Sequence, residues 1–568
     1  MKITCHGKSN LLLTAKLDTE TYNKLCALPG FKKWSGRNLI VRPTPANVMH
    51  IIRNWPDANW DSDSIQFKNS TLVETANAER AREAKNSEVP ILCTDFQFKR
   101  KPMAHQERDF MLHRDKENFA FFWEPGLGKS QVTIDTASWL YLNKKIDAML
   151  VVAWPNGVHR IWTGEELYAC LHPDIHCRSY GWRSGKSVDK ANRLKILFGF
   201  DGFKVLSFNA EAFASDYAVE VIQEFLSKFR CLFVIDQSAC IKNTMAKRTK
   251  LMLKLGHKAP YKRILEGSPN TEGPEELFSQ FKFLDYKIIG HDTFTGFKNE
   301  FCKIGYFKNI TGYKNLDELQ RRIDPFVSRA YERDCLDLPE RIYRRFSFDL
   351  SVPEQTYYNE FLRKGLVEFK EEGIELKEQL AMIKHIRLQQ ISCGIAPSKE
   401  RTERIKGGNS RLLALESLLS SIKGKAIIFT TFKMSAKMVE ELLGAQAVSY
   451  HGDIGSEERE EAKRRFQTDD TCRYFVGQIK TASIGHTLTA AEHVIFFTND
   501  GSLRFRQEAE KRAHRKGQEK RVTVWDIVAN KTMDRKILSI LQQKDTLARA
   551  VMNDPDNFFL VEDDAETD

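Results

Sequence analysis

Between residues 94 and 330, short apolar runs alternate with segments of helical period. The runs are Phe119–Trp123, Ala148–Ala153, Lys204–Phe208, Cys231–Ile235 and Arg263–Leu265. Strands apolar on both faces belong in a parallel sheet covered by helices on each side. The same alternation returns after Gly407-Gly408-Asn409-Ser410, whose composition suits a hinge. It predicts strands over Ala426–Phe429, Val448–Tyr450, Tyr474–Val476 and His493–Phe497, with helices over Ser435–Leu443 and Glu457–Phe466. Residues 274–325 and 350–392 read as helical and polar, and the Lys/Glu alternation in Lys364–Lys377 is that of solvated helical faces. Residues 1–60 predict a compact piece with strands over Leu11–Leu17 and Leu39–Val41 and a helix over Ala46–Trp55. From Asp61 to Pro90 the chain is polar and charged, a linker with a short helix near Ala76–Lys85.

The expected fold is α/β: two parallel-sheet lobes with helical protrusions between them, plus a small N-terminal α+β module. The expected divisions are 1–62, a charged linker 63–93, a first lobe 94–330 with its protrusion at 274–325, an inter-lobe segment 331–408, a second lobe 409–551, and an acidic tail 552–568.

Composition narrows the function classes. The charged fraction of 29% and hydrophobic fraction of 42% are those of a globular protein. A net charge of +11 permits a polyanionic partner without demanding one. Met552–Asp568 holds seven Asp or Glu and no Lys or Arg, so the rest is more basic than the total suggests. No stretch approaches the ~18 uncharged apolar residues of a membrane span, and the N-terminal apolar run is too short for a signal peptide. The eleven cysteines form no CxxC and no zinc spacing, so reduced thiols and no metal beyond Mg²⁺ are expected.

The chemistry concentrates first in Glu124-Pro125-Gly126-Leu127-Gly128-Lys129-Ser130. An apolar strand breaks into a glycine turn, and Lys-Ser opens a helix, so backbone N–H groups can face a phosphate. In such a loop Lys129 lies over the β- and γ-phosphates and the Ser130 hydroxyl ligates Mg²⁺. The full GxxxxGKS/T pattern wants glycine where this chain has Trp123. About a hundred residues on, the strand Cys231–Ile235 ends in Asp236-Gln237, placing an acid where a second Mg²⁺ contact is required. Leu265-Glu266-Gly267-Ser268-Pro269-Asn270 ends another strand in a small polar turn. Arg512 and Arg515, three apart and expected on one helical face, suit neutralisation of charge on a γ-phosphate.

Taken together, residues 95–550 resemble the Swi/Snf-type ATPases of helicase superfamily 2. His105-Gln106 resembles the adenine-reading Q-motif, and Gly126–Ser130 the short form of motif I. Val151–Pro155 with Trp162 is similar to motif Ia, and Asp236–Asn243 to the family's DESHxxKN motif II. Gly267-Ser268-Pro269 with Glu276-Leu277-Phe278 resembles motif III, and Thr430–Lys433 with His451-Gly452 motif IV. Ala482–Ala491 and Arg512–Gln518 are similar to motifs V and VI. Asp324–Arg329 followed by Asp337–Arg341 resembles the family's RPFxLR…DLPxK run, and Tyr357-Tyr358 and Leu388–Ile391 continue it. Gly485–Ala491 and Pro274–Gln280 look most like the annealing-helicase branch, and residues 1–60, with Trp34 and Asn47–Trp60, like a diverged HARP module.

The resemblance implies two RecA-like lobes and ATP with Mg²⁺ as cofactors. It implies ATP contacts at Gln106, Glu124 to Ser130 and Gly485, catalytic roles for Lys129, Asp236, Gln237, Arg512 and Arg515, and Mg²⁺ at Ser130 and Asp236. DNA contacts are implied at Pro155, Asn156, Asn209, Thr431, Lys433, Thr481, Ser483 and Thr487. The implied partner is double-stranded or branched DNA, with no membrane; the acidic tail is a candidate docking segment for a protein, and a monomer is expected. The implied compartment is the cytoplasm of a bacterial or phage-infected cell, or the nucleus of a eukaryotic one.

Two departures bear on activity. Motif VI usually has glutamine four residues before its first arginine; here that position is Glu508, and Gln507 lies one earlier. Motif II has Gln237 where the family has glutamate, and a neutral amide cannot accept the attacking water's proton. Nucleotide binding is expected to survive while hydrolysis slows. So near-isosteric an exchange resembles an engineered trap; a natural pseudoenzyme or a relocated base fits the same sequence. The expected function is thus an ATP-dependent duplex-DNA translocase that remodels or anneals forks. The alternatives are a non-hydrolysing ATP-gated DNA clamp and a chromatin remodeller, the latter less expected because no chromatin-reading domain is legible.

Overall fold

The computed structural model describes residues 1–6, 10–26, 28, 32–73, 76, 93–154, 158–183, 188–305, 309–336, 338–371, 377–396, 403–451, 454–482, 488–515 and 517–552. The helix expected near Ala76–Lys85, apart from residue 76, and the acidic tail from residue 553 lie outside them. The chain forms two compact units, residues 1–335 and 336–550.

The first unit opens with a five-stranded sheet in the order Lys32–Ser35, Asn38–Val41, Asn10–Thr14, Lys2–His6, Asn59–Trp60. Ile3, Leu11, Leu13, Leu39 and Val41 bury one face under Val48 and Ile51 of the helix Pro45–Asn54. That helix starts where Thr44 accepts the Asn47 N–H at 3.2 Å, with Pro45 in its first turn. Residues 65–73, read in sequence as linker, are helical. Phe67 packs on the module's core, and the Ser64 hydroxyl donates to the Ile3 carbonyl at 3.1 Å. The module rests on the rest of its unit through Arg42, which pairs with Asp292 at 2.9 Å and lies over the Tyr286 ring.

The main sheet of this unit is seven-stranded and wholly parallel. Its order is Val327–Ala330, Asn118–Trp123, Tyr261–Glu266, Cys231–Asp236, Ala148–Ala153, Phe203–Asn209, Cys177–Gly181. Burial on both faces explains its near-continuous apolar runs. The strands for motifs I, III and II are neighbours, so their loops leave the same edge. The protrusion is not wholly helical: a hairpin, Cys302–Ile304 with Ile310–Tyr313, separates Phe294–Phe301 from Leu316–Ile323.

The second unit has a six-stranded parallel sheet in the order Arg341–Phe348, Val522–Ala529, Ala491–Phe496, Lys425–Thr430, Tyr474–Gln478, Ala447–Tyr450. Arg341–Phe348, expected in an inter-lobe segment, is its edge strand. An edge strand can carry polar residues on its open side, so its apolar pattern is broken. The family-like run around residues 324–341 therefore closes one sheet and begins the other.

Candidate functional site

The first candidate loop leaves the strand Asn118–Trp123. Trp123 is fully buried, and its indole N–H donates to the Ser328 hydroxyl at 2.9 Å. The residue that breaks the long glycine pattern is thus the end of a core strand, and the loop begins after it. Gly126 (φ 90°) and Gly128 (φ 77°) adopt the left-handed conformation. A Cβ on Gly128 would meet the Gln106 amide nitrogen at 1.8 Å. That amide donates to the Leu127 and Gly128 carbonyls at 3.1 and 3.2 Å, and His105 Nε2 bonds the Leu127 carbonyl at 2.9 Å. The Q-motif residues therefore hold the loop from behind.

Lys129 begins the helix Lys129–Leu142, whose N-terminus has no side-chain cap. Its first-turn N–H groups and dipole make a ready anion site. The Lys129 ammonium bridges the Trp123 and Glu124 carbonyls at 2.6 and 3.2 Å, across the mouth of the loop. Ser130 follows it, half-buried. The Glu124 carboxylate accepts the Glu332 N–H at 2.6 Å, so its share in the loop is its carbonyl. Pro125 lies against Gly267, and the Leu127 side chain is buried.

Asp236 ends its strand two places from the phosphate loop's strand. Burial pushes its carboxyl upward in pKa, opposed by the Trp162 indole N–H, at 2.9 Å from Oδ2, and by the Lys129 charge. A buried carboxylate drawn toward a lysine at a phosphate loop suits a cation held beside phosphates. Gln237 follows in the left-handed region (φ 63°, ψ 65°), its N–H donating to the Leu265 carbonyl at 2.9 Å. For a side chain of that size such a conformation costs about 1–3 kcal/mol.

Sequence reasoning missed what joins motifs II and III. Glu266 is buried, and its carboxylate accepts the N–H groups of Ala239 at 2.8 Å and Gly267 at 2.9 Å. Gln280 accepts from the Ser238 hydroxyl at 2.6 Å and donates to the Pro269 carbonyl at 2.7 Å. Lys242 pairs with Glu276, whose carboxyl burial pushes up and Lys242 pulls down. An acid closing a buried strand was the available signal for Glu266. Asn209 ends the neighbouring strand in register with Ala153, itself in register with Asp236. Pro155 and Asn156 lie outside the described residues.

In the second unit the helix Leu503–Glu510 ends before Arg512 and Arg515, which occupy turns. The expectation that both arginines share a helical face does not hold. The chain is tied there by hydrogen bonds: Leu488 N–H to the Arg512 carbonyl at 2.9 Å, and the Gln518 side-chain amide to the Thr489, Ala491 and Ala513 carbonyls. Arg512 is buried, its Nε donating to the Glu508 carbonyl at 2.9 Å. Gln507 donates to Asp545 at 2.9 Å, and Glu508 pairs with Arg504. Thr431, bonded to Thr498, and the exposed Lys433 follow one strand; half-buried Thr481 follows its neighbour. Ser483, Gly485 and Thr487 lie outside the described residues.

Residues 104–395 match the model of the SNF2-related domain, and residues 410–517 that of the helicase conserved C-terminal domain. The chain belongs to the SNF2-related family. Similar proteins include the putative ATP-dependent helicase/translocase YwqA of Bacillus subtilis, 26% identical over 55% of this chain and 34% of that protein. The DNA annealing helicase and endonuclease ZRANB3 of Bos taurus is 24% identical over 76% of this chain and 38% of its own length. This SNF2-related chain thus spans well under half of either relative. Among solved structures, the Sulfolobus solfataricus SWI2/SNF2 ATPase core in complex with dsDNA is similar at 20% identity, over 82% of this chain and 96% of that one, with a TM-score of 0.37. A score that low does not bear on the fold, which stands on the sheet topology above. No helix among the described residues is long and apolar enough to cross a membrane.

Proposed function

We propose that this chain is an ATP-dependent motor on double-stranded DNA that remodels or anneals branched DNA. The observation that carries this is the convergence, on one sheet edge, of an anion-ready loop, the Lys129 ammonium and the buried Asp236 carboxylate, tied by Glu266 to the motif III turn. These residues fit Mg²⁺–ATP. Lys129 and the first-turn N–H groups would hold the phosphates, Ser130 and Asp236 the cation, and Gln106 the loop behind them. Mg²⁺, when bound, neutralises phosphate charge and orients the terminal phosphoryl group. The resemblance assigns Arg512 and Arg515 the neutralising of phosphate charge.

Duplex contacts would come from Asn209, Thr431, Lys433 and Thr481, and from Pro155, Asn156, Ser483 and Thr487. Such contacts reach mainly phosphates, so little sequence preference and steep salt dependence are expected. Two features support branched DNA. One is the annealing helicase among the relatives. The other is the N-terminal module, where residues 1–60 hold nine Lys or Arg against three Asp or Glu, and exposed Tyr22 and Trp34 stack at 5.7 Å.

Gln237 favours a second reading, an ATP-gated clamp that closes without turnover, because its amide cannot take a proton from water. Hydrolysis with and without forked DNA, compared with Gln237→Glu, separates the two. The motor reading expects a DNA-stimulated rate that rises at least about tenfold with glutamate. If both forms are inert while ATP still tightens DNA binding, the clamp reading holds. Rapid turnover by the glutamine form would remove Gln237 from the base position.

A further inference from the structure

The Asp236 carboxylate accepts from a buried side chain. Trp162 belongs to the short helix Val158–Thr163 and is buried, and its indole N–H reaches Asp236 Oδ2 at 2.9 Å. The short helix is itself anchored: the Ser207 hydroxyl donates to the His159 carbonyl at 2.8 Å, and His159 Nε2 bonds the Trp182 carbonyl at 2.9 Å. The backbone on either side of the acid is also fixed. The Trp154 N–H donates to the Asp236 carbonyl at 3.2 Å, and the Gln237 N–H to that of Leu265 at 2.9 Å.

Filling this core would need only an aromatic ring, and phenylalanine does so elsewhere in the sheet. A tryptophan adds one donor, which accepts nothing and must find an acceptor when buried. Here the acceptor is the one carboxylate that the site offers to a cation. We propose that Trp162 is a positioning residue, whose indole N–H fixes the Asp236 carboxylate by one oxygen and leaves the other set for a divalent metal beside the phosphate loop. This rests on the nucleotide reading above. Outer partners of this kind typically change metal affinity by about 10–100-fold when removed.

The test measures Mn²⁺ binding by electron paramagnetic resonance, with ADP present, on the full chain. Two variants lose the donor: Trp162→Phe, and the chain with benzothienylalanine at 162, which keeps the indole's shape and replaces its N–H with sulfur. Both are expected to bind Mn²⁺ about 10–100-fold more weakly, while ADP binding in EDTA matches the unaltered protein. If the sulfur isostere binds Mn²⁺ within twofold of the unaltered protein, Trp162 is core filling and the proposal falls. If the unaltered protein itself shows no Mn²⁺-dependent nucleotide binding, the nucleotide reading fails first and takes this role with it.

Discussion

Asp135 lies in the helix that leaves the phosphate loop, 1% exposed, and neither carboxyl oxygen has a hydrogen-bond partner. Burial pushes its pKa up to about 8, with Arg100 pulling the other way. The folded state therefore keeps a proton that the unfolded chain releases above about pH 4. A carboxyl raised on folding contributes fully only below its unfolded pKa, and stability is lost as pH climbs toward 8. Asp135→Asn, which cannot ionise, is expected to stabilise the first unit by about 5 kcal/mol at pH 8 and hardly at all at pH 4. Thermal melting at the two pH values checks this; an equal shift at both would mean the acid does not titrate as its burial requires. The same scale shows what a sequence can disclose. The places of Lys129 and Ser130 at a helix start and of Asp236 at a strand end were legible, because an apolar run that breaks into a glycine turn or an acid marks those points. Glu266, Gln280 and the Trp162 contact were not, because they join segments that only the sheet brings together.

At the scale of elements, the apolar runs gave the interior strands of the first sheet and most of the second, though the interior strand Val522–Ala529 was not among them. They also failed where burial is not two-sided: Arg341–Phe348 is a polar edge strand, and residues 65–73 are a helix whose packing rests on few residues such as Phe67. The helix Leu503–Glu510 shows a further limit, since its end is set by tertiary ties rather than by local propensity. That helix is fastened to the strand Val522–Ala529 by buried charge. Arg506 reaches Asp526 at 3.0 Å and Glu510 at 2.6 Å, and lies over the Phe496 ring. Asn499 also donates to Asp526, at 2.8 Å. Removing the arginine leaves two buried carboxylates, so Arg506→Met is expected to cost about 3 kcal/mol. Arg506→Met with Asp526→Leu and Glu510→Gln removes all three charges and is expected to cost clearly less. Denaturant midpoints for the second unit compare them, and equal losses would show that packing, not charge, fastens the helix.

For the whole molecule, two units, each with its own parallel sheet, predict unfolding that is not a single two-state step. The division at residue 335 falls within the run of family-like residues that closes one sheet and opens the next, so the signature of the family is also the seam of the chain. The sequence suggests another seam, the charged stretch around residue 80, and there the fold disagrees. Arg42 fastens the N-terminal module to Asp292 and Tyr286, on the elements that follow motif III. A protease that nicks the chain between residues 77 and 92 should therefore not free the module. The two fragments are expected to elute together at low salt and to part as salt weakens the Arg42 contact, and Arg42→Ala should let them part from the start. Co-elution of the alanine form would mean that other contacts hold the module. A cut in the polypeptide and a break in the molecule are, for this protein, separate events.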